Sequence, residues 1–364
     1  MPLVLHGLGT AVPPDNVTTA ESLKSAQVLG HPAIRTASWL PAVYAKSGVR
    51  TRFQVLGRPF INDLLTGTRL SGSPFLPGDD PLGPTTAQRM AMYAEHAPKL
   101  AVQAAANALV DSGLSAKSIT HLVTVSCTGF ASPGFDYAVI RELGLRPTTE
   151  RIHVGFMGCH GAINGLRAAL ALAADPANTV LLAAVELCSL HYYTGPDIDK
   201  AIANALFADG AAAIVASGRG AGGYRVAATG SGIIPDSAAE MGWFVGDHGF
   251  EMVLSKQIPV FIERSLRTWI DAWLGERGLT VGQIGSWAIH PGGPRILQAA
   301  QSALGLTDDA MADSRAVYAE FGNMSSPTVL FILKRLRERR AAAPVVLLGF
   351  GPGLVCEAAL ITGE

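Results

Sequence analysis

Cys159 stands in "VGFMGCHGAINGLRAAL" (154–170), where a β-type run over 152–156 stops at Gly158-Cys159 and an apolar helical pattern begins at once. A thiol is a weak nucleophile until it ionises, and both a helix N-terminus and a nearby imidazolium favour the thiolate. Cys159 has the first by position. His290, which ends "SWAIH" just before the break "PGGP", can supply the second. Asn323 follows Gly322 and also stands just ahead of a helical pattern. Its amide can donate to an oxygen that gains charge but can take no proton. Gly158 and Gly161 leave the backbone around Cys159 uncrowded, so an oxyanion can approach the helix N–H groups. A thiolate with two such donors suits carbon–carbon chemistry on thioesters. The acyl group parks on sulfur, a malonyl thioester loses CO₂, the donors hold the enolate oxygen, and the enolate carbon attacks.

Each residue also has a plain reading when taken singly. A lone cysteine flanked by apolar residues is most often structural, a histidine near a Pro-Gly break is usually a satisfied polar group, and an asparagine before a helix is most often a cap. Cys159-His160 makes a poor metal pair, because adjacent helical residues diverge and no other ligand is spaced to help. "GFGPG" (349–353) lacks the GxGxxG order and the following lysine of a nucleotide loop.

The elements that must position these groups repeat. "HLVTVSCTG", "IRELGL", "GFMGCHGAINGLRAAL" and "NTVLLAAVE" align in order with "GSWAIHPGG", "AQSALGL", "AEFGNMSSPTVLFILKRL" and "APVVLLGFG" at nearly constant offset. Both halves therefore read strand, helix, short β-type segment, helix, strand, which points to a duplicated α/β unit. The strands are continuous apolar runs, as in mixed or parallel sheets covered by helices. Gly218 to Gly223 mark a boundary, giving halves 1–217 and 218–364. Residues 57–84, rich in Gly and Pro, read as a surface excursion. Ligand sites of open α/β sheets collect at strand ends, so Cys159, His290 and Asn323 can converge although they are distant in sequence.

Among 364 residues, 49% are hydrophobic and 16% charged, enough for a large core, and the formal net charge of −1 implies no nucleic-acid partner. Residues 341–356 are uncharged until their end but are broken by Pro344 and Pro352, so they read as a buried strand and loop and no stable membrane insertion is expected. No signal peptide is evident at the N-terminus. Four cysteines without CxxC spacing point to a reduced, cytoplasmic protein with no disulfide framework and no metal.

"HPGGPRIL" (290–297), "FGNMSSPTVLFIL" (321–333), "GFGPGLVCE" (349–357), "ALFADGAAA" (205–213) and "GFDYAVIRELGLRP" (134–147) together closely resemble type III polyketide synthases, the chalcone and stilbene synthase family. Before residue 99 the resemblance rests on "KSGVRTRF" (46–53) alone. It implies a thiolase fold, a duplicated five-layered αβαβα architecture with mixed sheets, and a homodimer. It also implies acyl-CoA and malonyl-CoA as substrates, with no cofactor besides these CoA thioesters. By it, Cys159 accepts the acyl group, with His290 and Asn323 as partners in decarboxylation and condensation. Phe207 matches a gatekeeper between CoA tunnel and cavity, and Met252, counted back from Pro259, matches a second. Gly351-Pro352-Gly353 matches the loop that shapes the cyclisation chamber, with Ser325 close by. Lys46 matches a lysine used against CoA phosphates; Trp39 and Ala42 stand where two further basic residues are usual. Ser132 matches a residue that reaches into the partner's cavity. Cys127, Cys188 and His191 replace cavity threonines of the plant enzymes. "ELCSLHYY" (186–193) and "GDHGFEMVLSKQIP" (246–259) look more like bacterial members that make alkylpyrones and alkylresorcinols. A flexible Met252 yields to a fatty chain where Phe would block it, so a long aliphatic starter is expected. The alternatives are a single-round β-ketoacyl-carrier-protein synthase and, from another class, a non-catalytic scaffold of the same fold.

Overall fold

The computed structural model describes residues 2–220 and 223–363. Residues 221 and 222, inside the expected boundary at 218–223, lie outside the described residues.

Strand alternation builds the layers. In Thr179–Leu187, Val180, Leu182 and Ala184 face a core formed with the helices Gly161–Leu172 and Thr328–Glu338. Leu181, Ala183 and Val185 of the same strand face the long helix Thr86–Ser112. In Val345–Gly351, Val345 and Leu347 point to that same central helix layer, while Val346, Leu348 and Phe350 point out to the helices Ile258–Gly275 and Pro294–Leu304. The order is therefore helix, sheet, helix, sheet, helix, the five-layered α/β arrangement expected from the sequence.

The strands run in the order Ser286–Ile289, Val345–Gly351, Val355–Thr362, Arg225–Ile233, Leu3–Ala11, Asp209–Ser217, Thr179–Leu187, His121–Ser126, Glu150–Gly155. Two residue pairs, Leu3 with Val226 and Val4 with Arg225, join the two halves of the sheet. Pairing is mixed. His121–Ser126 is parallel to both neighbours, Ser286–Ile289 is parallel to Val345–Gly351, and the central strands are antiparallel. The long helix starts at a capping box between Thr85 and Gln88 and lies hard against the first strand. A Cβ on Gly9 would come within 2.2 Å of the Ala104 carbonyl oxygen, so only glycine allows that approach.

Two expectations fail in detail. The stretch ahead of Gly322, read as a short β-type segment, is the helix Ala312–Phe321. Its Ala, Arg and Glu favour helix, and it buries Ser314, Val317 and Tyr318 on one face. All that remains of a strand there is one parallel bridge between Phe207 and Asn323. The excursion 57–84 is also only partly a surface loop. Gly57–Thr66 is a helix that buries Phe60, Ile61 and Leu64, and Phe75 and Leu76 fold in beside them. Asp63 ties the following turn down by accepting from the N–H groups of Leu70 and Ser71, both at 2.8 Å. Among the described residues, no helix is long and apolar enough to cross a membrane.

Candidate active site

Cys159 lies in a single 3₁₀ turn, Gly158–His160, that runs directly into the helix Gly161–Leu172. The turn is tight. Phe156 has φ 60° and Gly158 φ 71°, and a left-handed phenylalanine marks local strain of the kind that collects at functional sites. Pro352, from the expected chamber loop, closes on this turn: a Cβ on Gly158 would lie 2.4 Å from its Cδ. Burial pushes the Cys159 thiol up to about 11, against the pull of the Ser325 hydroxyl and the Asn323 amide beside it.

Asn323 is fully buried. Its Oδ1 accepts the Ser325 N–H at 2.8 Å, a local turn, and the helix it precedes is capped by Pro327 without a side-chain bond. It is therefore not the helix cap its position suggested. Its Nδ2 finds no hydrogen-bond partner among the described residues. His290 is 1% exposed, and neither ring nitrogen has a partner among the described residues. Burial first, and then the neighbouring His160, hold its pKa down at about 3. Burial therefore works against an imidazolium at His290 and against a thiolate at Cys159.

In front of these groups lies a chamber of about 80 Å³. Of the expected residues, Cys159, Cys127, Cys188, His191, Phe207, Met252, Ser325 and Pro352 line it. Asn323 lies beside the thiol, and neither it nor His290 lines the chamber. Gly351 carries the ring of His160, which a Cβ there would meet at 2.3 Å. Gly353 (φ 75°) donates its N–H to the Met241 carbonyl at 2.8 Å. Ser132 and Lys46 are exposed and do not line the chamber.

Sequence reasoning missed the frame that holds this arrangement. Glu186 ends an apolar strand and is fully buried. It accepts from the N–H groups of Cys127 (2.9 Å) and Thr128 (3.0 Å) and from the hydroxyls of Thr128 (2.7 Å) and Ser326 (2.6 Å). One carboxyl thereby ties the loop carrying Cys127 to the loop carrying Asn323 and Ser325. An acid closing a buried strand was the available signal. The aromatic side of the chamber was missed as well. The Trp243 indole donates to the Cys127 carbonyl at 2.7 Å, and His191 stacks on Phe250 with centroids 4.3 Å apart. The His191 Nδ1 accepts the Phe250 N–H at 2.8 Å, so its Nε2–H donates to the Thr128 carbonyl at 2.6 Å. Met252 stands opposite Trp243 in the hairpin Met241–Leu254.

The family model for the N-terminal domain of chalcone and stilbene synthases matches residues 3–220, and that for their C-terminal domain matches residues 225–363. The chain belongs to the chalcone and stilbene synthase family. It is a type III polyketide synthase, an acyltransferase. It is 31% identical to the α-pyrone synthesis polyketide synthase-like Pks18 of Mycobacterium tuberculosis over 98% of this chain and 90% of that protein. It is 39% identical to 1,3,6,8-tetrahydroxynaphthalene synthase of Streptomyces peucetius over 72% of each chain. The crystal structure of PKS-I from the brown alga Ectocarpus siliculosus superposes with a TM-score of 0.90 at 29% identity, covering 100% of this chain and 98% of the other.

Proposed function

We propose that Cys159 carries the growing acyl chain of this polyketide synthase, and that His290 and Asn323 hold the enolate oxygen formed when malonyl-CoA loses CO₂. One observation carries this reading. The Asn323 Nδ2, beside the thiol, and both His290 ring nitrogens are buried without partners among the described residues. Buried donors left unpaired cost about 1–3 kcal/mol each, and a substrate oxygen is the acceptor they suit. The acyl group moves from CoA to sulfur, and decarboxylation frees an electron pair that the two donors hold on oxygen. The enolate carbon then attacks the parked thioester and releases the thiol. Repetition and cyclisation follow, and no cofactor besides the CoA thioesters is needed.

The starter in this reading is a long aliphatic chain. Met252 lines the chamber beside the packed rings of Trp243, His191 and Phe250, and its flexible side chain yields to a fatty chain where a stiff ring would block it. An α-pyrone remains the product class favoured, with a hydroxynaphthalene as the second. Lys46, exposed at the end of the helix Leu40–Lys46, is free to meet CoA phosphates.

A homodimer is supported by the edge strand Glu150–Gly155, which is mostly exposed, with Phe130, Tyr137, Ile152, Phe156 and Met157 exposed around it. Ser132 is exposed as well. Light scattering at twice the chain mass checks this, and a monomer at working concentration contradicts it. Four free cysteines suit a reducing, cytoplasmic setting.

The direct test is incubation with malonyl-CoA and a panel of acyl-CoAs of graded length, with products read by mass spectrometry. Pyrone-type products from long aliphatic starters are expected. A β-ketoacyl thioester from a single condensation would point instead to a β-ketoacyl-carrier-protein synthase activity, and no turnover to a scaffold.

A further inference from the structure

The chamber wall carries a charged pair that the reaction above does not use. Lys200, from the short helix Ile198–Ala203, donates to the Glu251 carboxylate of the strand Gly249–Leu254. Both residues line the chamber, as do Phe207 and Met252. The Lys200 ammonium also lies 5.4 Å from the ring centre of Tyr193, which belongs to the same wall. The bond to Glu251 raises the pKa of Lys200 against the pull of burial, so Lys200 is held as a cation.

The two elements that this pair joins are anchored differently. The helix runs on directly into Phe207. The Leu206 N–H donates to the Ala203 carbonyl at 2.9 Å, and buried Arg52 donates to the carbonyls of Asn204 (2.6 Å), Ala205 (2.8 Å) and Phe207 (3.1 Å). Phe207 is thus fixed by its own neighbours. Met252 has less support. Its strand pairs only with Met241–Gly246, in a two-stranded sheet apart from the main one, and such a hairpin is at best marginally stable alone. The other polar ties of the hairpin lie elsewhere. At the turn, the Gly249 N–H donates to the Thr86 hydroxyl and the Phe250 N–H to His191, both at 2.8 Å. At the base, the Met241 carbonyl accepts the Gly353 N–H at 2.8 Å, and on the facing strand Trp243 donates to Cys127. For residues 251–254, the side-chain polar tie to another element among the described residues is that of Glu251 to Lys200. It stands next to Met252 in the strand.

We propose that the Lys200–Glu251 pair determines starter specificity: it braces the strand of Met252 against the helix that leads into Phe207, and so fixes the gap between these two side chains. This rests on the proposed function, in which the acyl chain threads past Phe207 and Met252. A gap of fixed width selects acyl groups by cross-section rather than by length. An unbranched polymethylene chain needs only a change of rotamer at Met252. A branched acyl group needs the two elements to part, against the ion pair. The class of starter is therefore the straight-chain acyl thioester. The pairing also covers both charges, so an apolar chain entering beside them meets no bare ion.

The test is a competition between a straight-chain and a methyl-branched acyl-CoA of equal carbon number, in one tube with malonyl-CoA, with products read by mass spectrometry. Wild type should favour the straight chain. Lys200→Met and Glu251→Gln should each raise the branched share about three- to fivefold, the range that a partly exposed ion pair supports. They leave opposite bare charges, so a brace predicts shifts in the same direction and a simple charge effect predicts opposite ones. The exchange Lys200→Glu with Glu251→Lys rebuilds the pair and should return the ratio to within about twofold of wild type. High salt should raise the branched share in wild type and leave the neutral double variant Lys200→Met/Glu251→Gln unmoved. Equal use of both starters by wild type, unchanged ratios in the single variants, or an exchange variant as permissive as they are would overturn the brace. If wild type extends neither acyl-CoA, the proposed function itself falls. Should a single variant not fold, the salt series on wild type decides, and a ratio that ignores salt overturns the proposal.

Discussion

At the scale of single residues, the proposed chemistry depends on buried donors that have no partner among the described residues. Asn323 shows this best, because one end of its amide is used in a local turn with Ser325 and the other is not. Asn323→Ala should load a starter acyl group within a few-fold of the wild-type rate, while CO₂ release from malonyl-CoA falls on the order of 10²–10³-fold. Release of ¹⁴CO₂ measures this, and a near-normal rate would reduce Asn323 to its turn. The placing of Cys159 at a helix start, His290 at a strand end and Asn323 just ahead of a helix was legible in the sequence, and the structure puts them there. The role of Glu186 in the frame was not, because it comes from burial and from partners far away in the chain such as Ser326. Nor does sequence show how completely His290 is desolvated.

At the scale of elements, the hairpin Met241–Leu254 sets the chamber. Its Trp243 is pinned by the hydrogen bond to Cys127 and meets the rings of His191 and Phe250 at steep angles, so this side of the chamber is a rigid aromatic block. Trp243→Ala should open the chamber and move the starter preference toward longer acyl chains by about tenfold, measured by competing short and long acyl-CoAs in one tube. An unchanged chain-length profile would show that Trp243 does not limit the starter. The apolar strands and most helices could be read in advance, because their periodicity is strong. The helix Ala312–Phe321 and the buried helix Gly57–Thr66 could not. The first was hidden by the analogy with the other half. The second was hidden by the Gly and Pro around it, although Phe60, Ile61 and Leu64 carry a helical spacing.

At the scale of the whole molecule, two halves meet to make one site. In the proposed mechanism the nucleophile comes from the first half and its two donors from the second, and the buried Glu186 ties the halves together, bonded to Cys127 and Thr128 on one side and Ser326 on the other. The layered fold was legible from the repeat and the apolar strands; the closing of the chamber was not, since it depends on rings that meet only in three dimensions. The site of acyl attachment decides whether Cys159 is the nucleophile. Wild-type protein incubated with a short acyl-CoA, then digested and mapped by mass spectrometry, should carry the acyl group on the peptide containing Cys159, and Cys159→Ala should carry none. An acyl group found on Cys127 or Cys188 instead, or retained by Cys159→Ala, would contradict it.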